Sequence, residues 1–245
     1  MRALSAGELL TVWEHGADQR PSQRALALLA AACLDEASPE SLARLSIGQR
    51  DEQLLKLRER IFGPRLAATS ACPACREVLE FTVNAADIRV APAVEPGERI
   101  DLEYADYELQ FRLPNTLNLA ALDPAADRES SRRHLLSLCV TRARRGGAEV
   151  APKELPSELI AAVSERMAEA DPQADVQLDL ACPQCEHRWQ TPLDIVSFFW
   201  SEINAWALRI LNDVHVLASA YGWREADILA LTPARREAYL ELVQQ

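Results

Sequence analysis

Four of the six cysteines lie in two short knuckles, Cys72-Pro73-Ala74-Cys75 and Cys182-Pro183-Gln184-Cys185. A CxxC pair repeated once supplies four thiolates, the ligand set that tetrahedral Zn²⁺ takes in a closed structural site. On this reading Cys72, Cys75, Cys182 and Cys185 are the metal ligands and Zn²⁺ is a structural cofactor. Two other readings compete. A redox CxxC needs a thiolate stabilised at a helix N-terminus, whereas both knuckles sit among alternating strand residues. A disulfide pair needs an oxidising compartment, and nothing marks the chain as exported. Many zinc knuckles carry Gly after the second Cys, where positive φ is convenient; here the residues are Arg76 and Glu186. His187 is near enough to substitute as a ligand, but reads more simply as a surface histidine beside a complete Cys₄ set. Cys33 and Cys139 fall within helical apolar patterns and read as small buried hydrophobes.

Something must present these thiols, and the flanking residues repeat. Leu66, Ala68 and Ser70 precede the first knuckle in alternation, as Val176, Leu178 and Leu180 precede the second. Val78, Leu79, Phe81 and Val83 follow the first, Trp189 and Leu193 the second, and the two runs close on Asp87-Ile88 and Asp194-Ile195. This is an internal repeat of one β-knuckle unit, and two such hairpins facing each other make a zinc ribbon. The Cys₄ pattern usually leaves about 15–20 residues between its pairs, but 106 separate Cys75 from Cys182. The ribbon is therefore split by a large insertion.

The remaining elements follow from periodicity and caps. Ser5 caps a helix through Trp13, and Arg24 to Leu34 is an alanine- and leucine-rich helical run. Ser38-Pro39-Glu40 restarts a helix that carries Leu42 to Ile61 and stops at Gly63-Pro64. After a turn-rich link from Pro92 to Gly97, a hairpin pairs Ile100–Tyr104 with Tyr107–Leu113. Helical spacing returns over Asp127 to Arg145 and Ser157 to Ala170. Val196, Phe199, Ile203, Trp206, Ile210, Val214 and Leu217 mark one long amphipathic helix. Phe198 and Trp200 flank that stripe and make it wider than one seam needs. Gly222 is its C-cap, Trp223 to Leu231 a short helix, and Thr232-Pro233 opens a last helix through Val243. The fold class is α+β and mainly helical. Four regions are expected: helices over 1–65, a split Cys₄ ribbon over 66–90 and 174–193, a hairpin-plus-helix insertion over 91–173, and C-terminal helices over 194–245.

At 245 residues, 49% hydrophobic and 26% charged, the chain is an ordinary globular protein. The acidic residue at Glu8 interrupts any signal-like apolar run and no stretch approaches the ~18 apolar residues of a membrane span. A cytoplasmic protein without membrane contact is the expectation. A net charge of −11 argues against binding nucleic-acid backbone, and Arg142, Arg144 and Arg145 read as a helix C-terminus ended by Gly146-Gly147. No GxSxG elbow, phosphate loop, HExxH helix or GxGxxG turn is present. The histidines at 15, 134, 187 and 215 are scattered, His215 reading as a hydrogen-bonded helix residue. Asp101, Glu103, Asp106 and Glu108 follow the pattern of a solvated strand face. The expectation is a protein that is not an enzyme and has no catalytic residues.

The segment Ala220-Tyr221-Gly222-Trp223-Arg224-Glu225-Ala226-Asp227-Ile228-Leu229-Ala230-Leu231, with Pro233, Arg235, Arg236 and Tyr239-Leu240, resembles a known family. Together with Asp194 to Glu202 and the two CPxC knuckles, it looks like the T4-type baseplate proteins of contractile tails and phage-derived injection systems, among them the baseplate hub assembly chaperones. The Tyr221-Gly222-Trp223 to Tyr239-Leu240 stretch is the most specific part, and the knuckles place the chain in a subgroup. The resemblance implies a non-catalytic assembly factor for the baseplate hub or spike, with hub or spike proteins as partners and some association with virions or injection particles. A permanent structural subunit of the baseplate is the alternative. A zinc-ribbon adaptor for nucleic acid or the transcription machinery comes third, since Glu77 and Glu186 offset Arg76 and Arg188 beside the knuckles. Self-association stays open.

Overall fold

The computed structural model describes residues 1–33, 37–91, 94–95 and 97–243. Leu34 in the second expected helix, and Pro92 and Pro96 in the expected turn-rich link, lie outside the described residues. Four helices open the chain: α1 (Ala6–Gly16), α2 (Pro21–Ala32), α3 (Pro39–Ala43) and α4 (Ile47–Phe62). Ser5 caps α1 in a reciprocal box with Glu8, and Pro21 starts α2 where its missing N–H costs nothing. The expected single helix from Ser38 to Gly63 is two. Ser46 and Gln49 form a second capping box, and the Ile47 N–H donates to the Pro114 carbonyl at 3.1 Å. A tertiary contact thus restarts the helix that apolar periodicity alone ran together.

Two hairpins follow the same rule at opposite ends of the insertion. Strands β1 (Arg65–Ala71) and β2 (Val78–Asn84) pair antiparallel. Between them and their counterpart lies a four-stranded antiparallel sheet of β3 (Ile100–Tyr104), β4 (Tyr107–Phe111), β5 (Val140–Arg145) and β6 (Ala148–Glu149), in that order. The second hairpin pairs β7 (Gln177–Ala181) with β8 (Arg188–Pro192).

Helix α5 (Thr116–Ala120) lies against α2 and α6 (Arg128–Cys139), while α6 and α7 (Ser157–Ala170) cover the four-stranded sheet, and Phe111, Leu136, Ala143, Leu159 and Val163 fill the cluster between them. The arginine triplet does not end a helix. The helix stops at Cys139 and Val140-Thr141-Arg142-Ala143-Arg144-Arg145 runs as β5 against β4. A β-branched start and the burial of Ala143 opposite Leu109 favour the strand, and Gly146-Gly147, both at positive φ, turn it into β6. Arg144 lies across from Glu108 and Glu149, and Arg145 Nε donates to Asp106 at 2.7 Å. The carboxylates 101, 103, 106 and 108 are exposed.

The chain returns through a 3₁₀ turn (Pro172–Asp175) to the second hairpin and enters α8 (Ile195–Tyr221), capped by Asp194 and closed by Gly222 at φ 67°. Helices α9 (Glu225–Leu229) and α10 (Pro233–Val243) fold back on it; the expected helix from Trp223 to Leu231 shortens to five residues. The Tyr221 and Trp223 rings stack at 4.7 Å and Tyr239 meets Trp223 edge-on at 4.8 Å. The main apolar cluster joins α1, α2, α4 and α8, with Leu28, Leu54, Leu57, Phe199 and Ile203 fully enclosed. The surplus width of α8 is partly used there. Trp200 packs against Gly16, where any side chain would collide with its ring, under the Arg24 guanidinium at 4.5 Å. Phe198 stays half-buried, and His215 is exposed.

Candidate metal centre

Each hairpin is rooted in the main core and carries its cysteines at the free end. Leu66 and Ala85 of the first unit and Leu178 and Ile195 of the second are buried in the same cluster. The registers match: Ala71 pairs with Val78 at the tip of one hairpin as Ala181 pairs with Arg188 in the other. The turns match too. Cys72 N–H donates to the Glu77 carbonyl and Arg76 N–H to the Cys72 carbonyl, at 2.8 and 2.9 Å. Cys182 N–H donates to His187 and Glu186 N–H to Cys182, both at 2.9 Å. Arg76 and Glu186 hold the left-handed conformation, φ 65° and 59°, at the positions where glycine is common. Both side chains point to solvent, and the strain of a non-glycine residue there must be offset by whatever the turn holds.

All four sulfurs lie within 4.8 Å of one another. The close approaches run between the hairpins: Cys72 Sγ to Cys185 Sγ at 3.7 Å and Cys75 Sγ to Cys182 Sγ at 3.6 Å. In each pair a buried cysteine of one knuckle meets an exposed cysteine of the other, as a local two-fold axis requires. A tetrahedron with metal–sulfur bonds of about 2.3 Å has edges of about 3.8 Å, so the four thiols fit one metal ion. Among the described residues no other group of three or more His, Cys, Asp or Glu could hold one. His187 is not part of the cluster; its ring stacks on Trp189 at 6.1 Å.

The thiols do not share one proton affinity. Burial pushes Cys72 up, but the Cys75 and Ala74 backbone amides and neighbouring thiols bring it down to about 7. The Glu77 amide draws Cys75 down, yet desolvation and hydrogen bonds with the other three thiols lift it to about 12. Cys185 is also raised: the His187 amide works against the rise, and desolvation and the thiols of Cys182 and Cys72 drive it. Four crowded sulfurs resist carrying four negative charges alone, and a cation between them reverses that. Cys139 is different in kind. Burial alone raises it to about 12, which suits an inert core thiol. Cys33 is buried as well.

Long-range polar contacts fix the hairpin roots, and sequence reading found none of them. Arg58, 2% exposed at its side chain, donates Nε and Nη2 to Glu202 at 2.8 and 2.6 Å and caps the Gly63 carbonyl. It ties the end of α4, just before β1, to α8, just after β8. At the other end of α4, Gly48 N–H donates to Asp171 Oδ2 at 2.9 Å, and Val90 N–H donates to Gln173 at 2.6 Å. Asp51 pairs with Arg50 at 2.7 Å, and burial pushes its carboxyl up to about 6 against the pull of that arginine. The Arg58–Glu202, Gly48–Asp171 and Val90–Gln173 partners are 83 to 144 residues apart, and no local motif announces them.

Among the described residues no helix is long and apolar enough to cross a membrane. No curated protein and no solved structure matches the chain. The family model described as T4 bacteriophage base plate protein matches residues 5–200. That span takes in both hairpins, the insertion and the first part of α8. It starts far ahead of the second half on which the resemblance leaned, and it leaves the segment from Ala220 to Leu240 outside. With α1 through the second knuckle covered, the chain belongs to the T4 bacteriophage base plate protein family.

Proposed function

We propose that the protein is a non-catalytic assembly factor for the hub or spike of a phage-like contractile tail or injection system, stapled by one Zn²⁺ on Cys72, Cys75, Cys182 and Cys185. Membership of the baseplate family supports the setting, and the four-thiol cluster is the observation that carries the mechanism. Bound there, zinc supplies structural cross-linking: with every coordination position taken by thiolate, none is left to activate water. The chain's own residues do the rest. Arg76 and Glu186 shape the turns, Leu66 and Leu178 root the hairpins, and Arg58 holds Glu202 so that α8 keeps one position beside β1 and β2. The result is a fixed surface of two hairpins and a long helix for a tail protein to rest on. The acidic balance of the chain, −11, favours basic partners over nucleic acid.

A permanent structural subunit would use the same surface, and copy number separates the two. Quantitative mass spectrometry of purified particles beside the lysate that produced them measures this chain against hub and spike proteins. An assembly factor is absent from particles and enriched on a hub or spike protein in the lysate. A fixed stoichiometry in finished particles would make it a subunit instead.

A further inference from the structure

A cleft of about 320 Å³ opens between α6, the 3₁₀ turn Pro152–Glu154 and the start of α7. Ser130, Arg133, His134 and Ser137 line it from α6, at the i, i+3, i+4 and i+7 spacing that puts all four on one face of the helix. Pro152 and Lys153 line it from the turn. Leu136, Leu155 and Ile160 form an apolar floor, buried but not sealed at 7%, 5% and 6% exposure. The size lies at the lower end of the roughly 300–1,000 Å³ of ordinary binding clefts. The rim is basic in a chain whose net charge is −11. Arg133, His134 and Lys153 are all exposed, and the lining holds no Asp or Glu. The carboxylates nearest in sequence, Glu129, Glu154 and Glu158, lie outside it. Arg133 donates Nε to Glu129 at 3.1 Å and Nη2 to Ser157 Oγ at 2.9 Å. The Glu129 pair is an exposed i,i+4 contact, of the weak kind that a competing carboxylate displaces. Among the described residues the Lys153 ammonium and the His134 ring have no partner.

We infer that this cleft binds an acidic segment of a baseplate partner, with one apolar side chain on Leu136, Leu155 and Ile160 and flanking carboxylates at Lys153 and Arg133. The inference rests on the baseplate reading above and adds a surface and a partner chemistry to it. An apolar side chain gains by taking the floor and itself out of water. Carboxylates at the rim gain charge-assisted hydrogen bonds from ammonium and guanidinium. A basic segment meets like charge at the same rim. A nucleic-acid backbone would suit the rim, but it brings no apolar side chain for the floor and is repelled by the chain as a whole. The overall charge favours basic partners, and this cleft selects locally for the opposite sign.

The test places the photo-cross-linker p-benzoylphenylalanine at exposed Ser130 in the full chain, where the backbone N–H keeps its bond to Asp127. A control carries it at exposed Leu208 on α8. Cross-linking is carried out in cells assembling particles, and the joined partners are sequenced. The expected result is an adduct from position 130 to an acidic segment of a baseplate protein, falling at least tenfold with Lys153→Glu and kept with Lys153→Arg. No adduct from 130, or one to a neutral or basic segment, to nucleic acid or to a second copy of this chain, overturns the cleft. So does a yield that Lys153→Glu leaves unchanged, or that Lys153→Arg lowers as much. If position 208 joins a baseplate protein in those cases, the baseplate reading stands while the cleft falls. An acidic segment of a protein foreign to the particle overturns the baseplate reading itself.

Discussion

Removing half of the thiol cluster, by Cys182→Ser with Cys185→Ser, separates a staple from a folding nucleus. The hairpin roots are held by the core: Leu66 and Leu178 are 0% and 9% exposed, and Ala85 and Ile195 are buried beside them. The hairpin ends are not, since their strands alternate between exposed and half-buried residues. A two-stranded hairpin alone in water is marginal, so without metal the tips have almost no opening cost. With metal, their slowest amides exchange only through larger openings. A loss of about 4 kcal/mol in local opening energy accelerates exchange by about a thousandfold. The amides to watch are those of Cys72 and Arg76 and, in the other hairpin, of residue 182 and Glu186, all hydrogen-bonded across the turns.

Global unfolding loses the same free energy. Zinc that binds only the folded chain contributes RT ln(1 + [Zn²⁺]/Kd), about 4 kcal/mol at a free concentration a thousand times Kd. For a chain of this size that lowers Tm by about 8–16 °C. Hydrogen exchange read by mass spectrometry, with a parallel thermal melt, measures both. Fast exchange confined to 67–82 and 179–190, with α2, α4 and α8 still protected, is the expected pattern. Collapse of protection in α4 and α8 would refute the reasoning, because the core would then depend on the metal. Unchanged exchange at the tips would refute it from the other side.

Arg58→Met leaves Glu202 with a charge and no partner in a part-buried site, and a loss of about 3–5 kcal/mol in urea unfolding is expected; less than 1 kcal/mol would mean the pair is solvated. Asp51 has its folded pKa raised to about 6, so its contribution to stability is fully present below the unfolded value near 3.8 and is lost as pH rises through 6. Between pH 7.5 and 5 the wild type should therefore gain about 1.4 kcal/mol relative to Asp51→Asn, measured as the difference of the two unfolding curves so that effects on the thiols cancel. Gly48→Ala puts a Cβ against Asp171 and 2.8 Å from the Ala174 backbone nitrogen. Overpacking of about 1–3 kcal/mol is expected, whereas an unchanged midpoint would show that the contact between α4 and the returning chain yields freely.

The repeat of knuckle and flanking strand was legible because each feature is local: a CxxC turn, alternating residues, and the same spacing on both sides. The long helix, its Gly222 cap and the helix from Ser157 to Ala170 were legible for the same reason. What failed was decided by distant partners. Arg142 to Arg145 follows a helix without a break in helical spacing, and only pairing with β4 makes it a strand. The interruption before Ile47 combines the local Ser46–Gln49 capping box, which apolar periodicity overran, with the distant Pro114 carbonyl, and the Arg58–Glu202 pair joins two helices through residues 144 apart. The left-handed turns at Arg76 and Glu186 went the other way. Glycine's absence looked like a mark against the knuckle, yet both residues adopt the conformation glycine would have taken.

The metal content of the purified full-length chain tests the central claim most directly, measured by inductively coupled plasma mass spectrometry together with thiol titration before and after chelation. One zinc per chain, with four additional thiols becoming reactive on chelation and no zinc in Cys182→Ser/Cys185→Ser, is the predicted result. A folded chain with no metal and with the same thiols reactive throughout would contradict it.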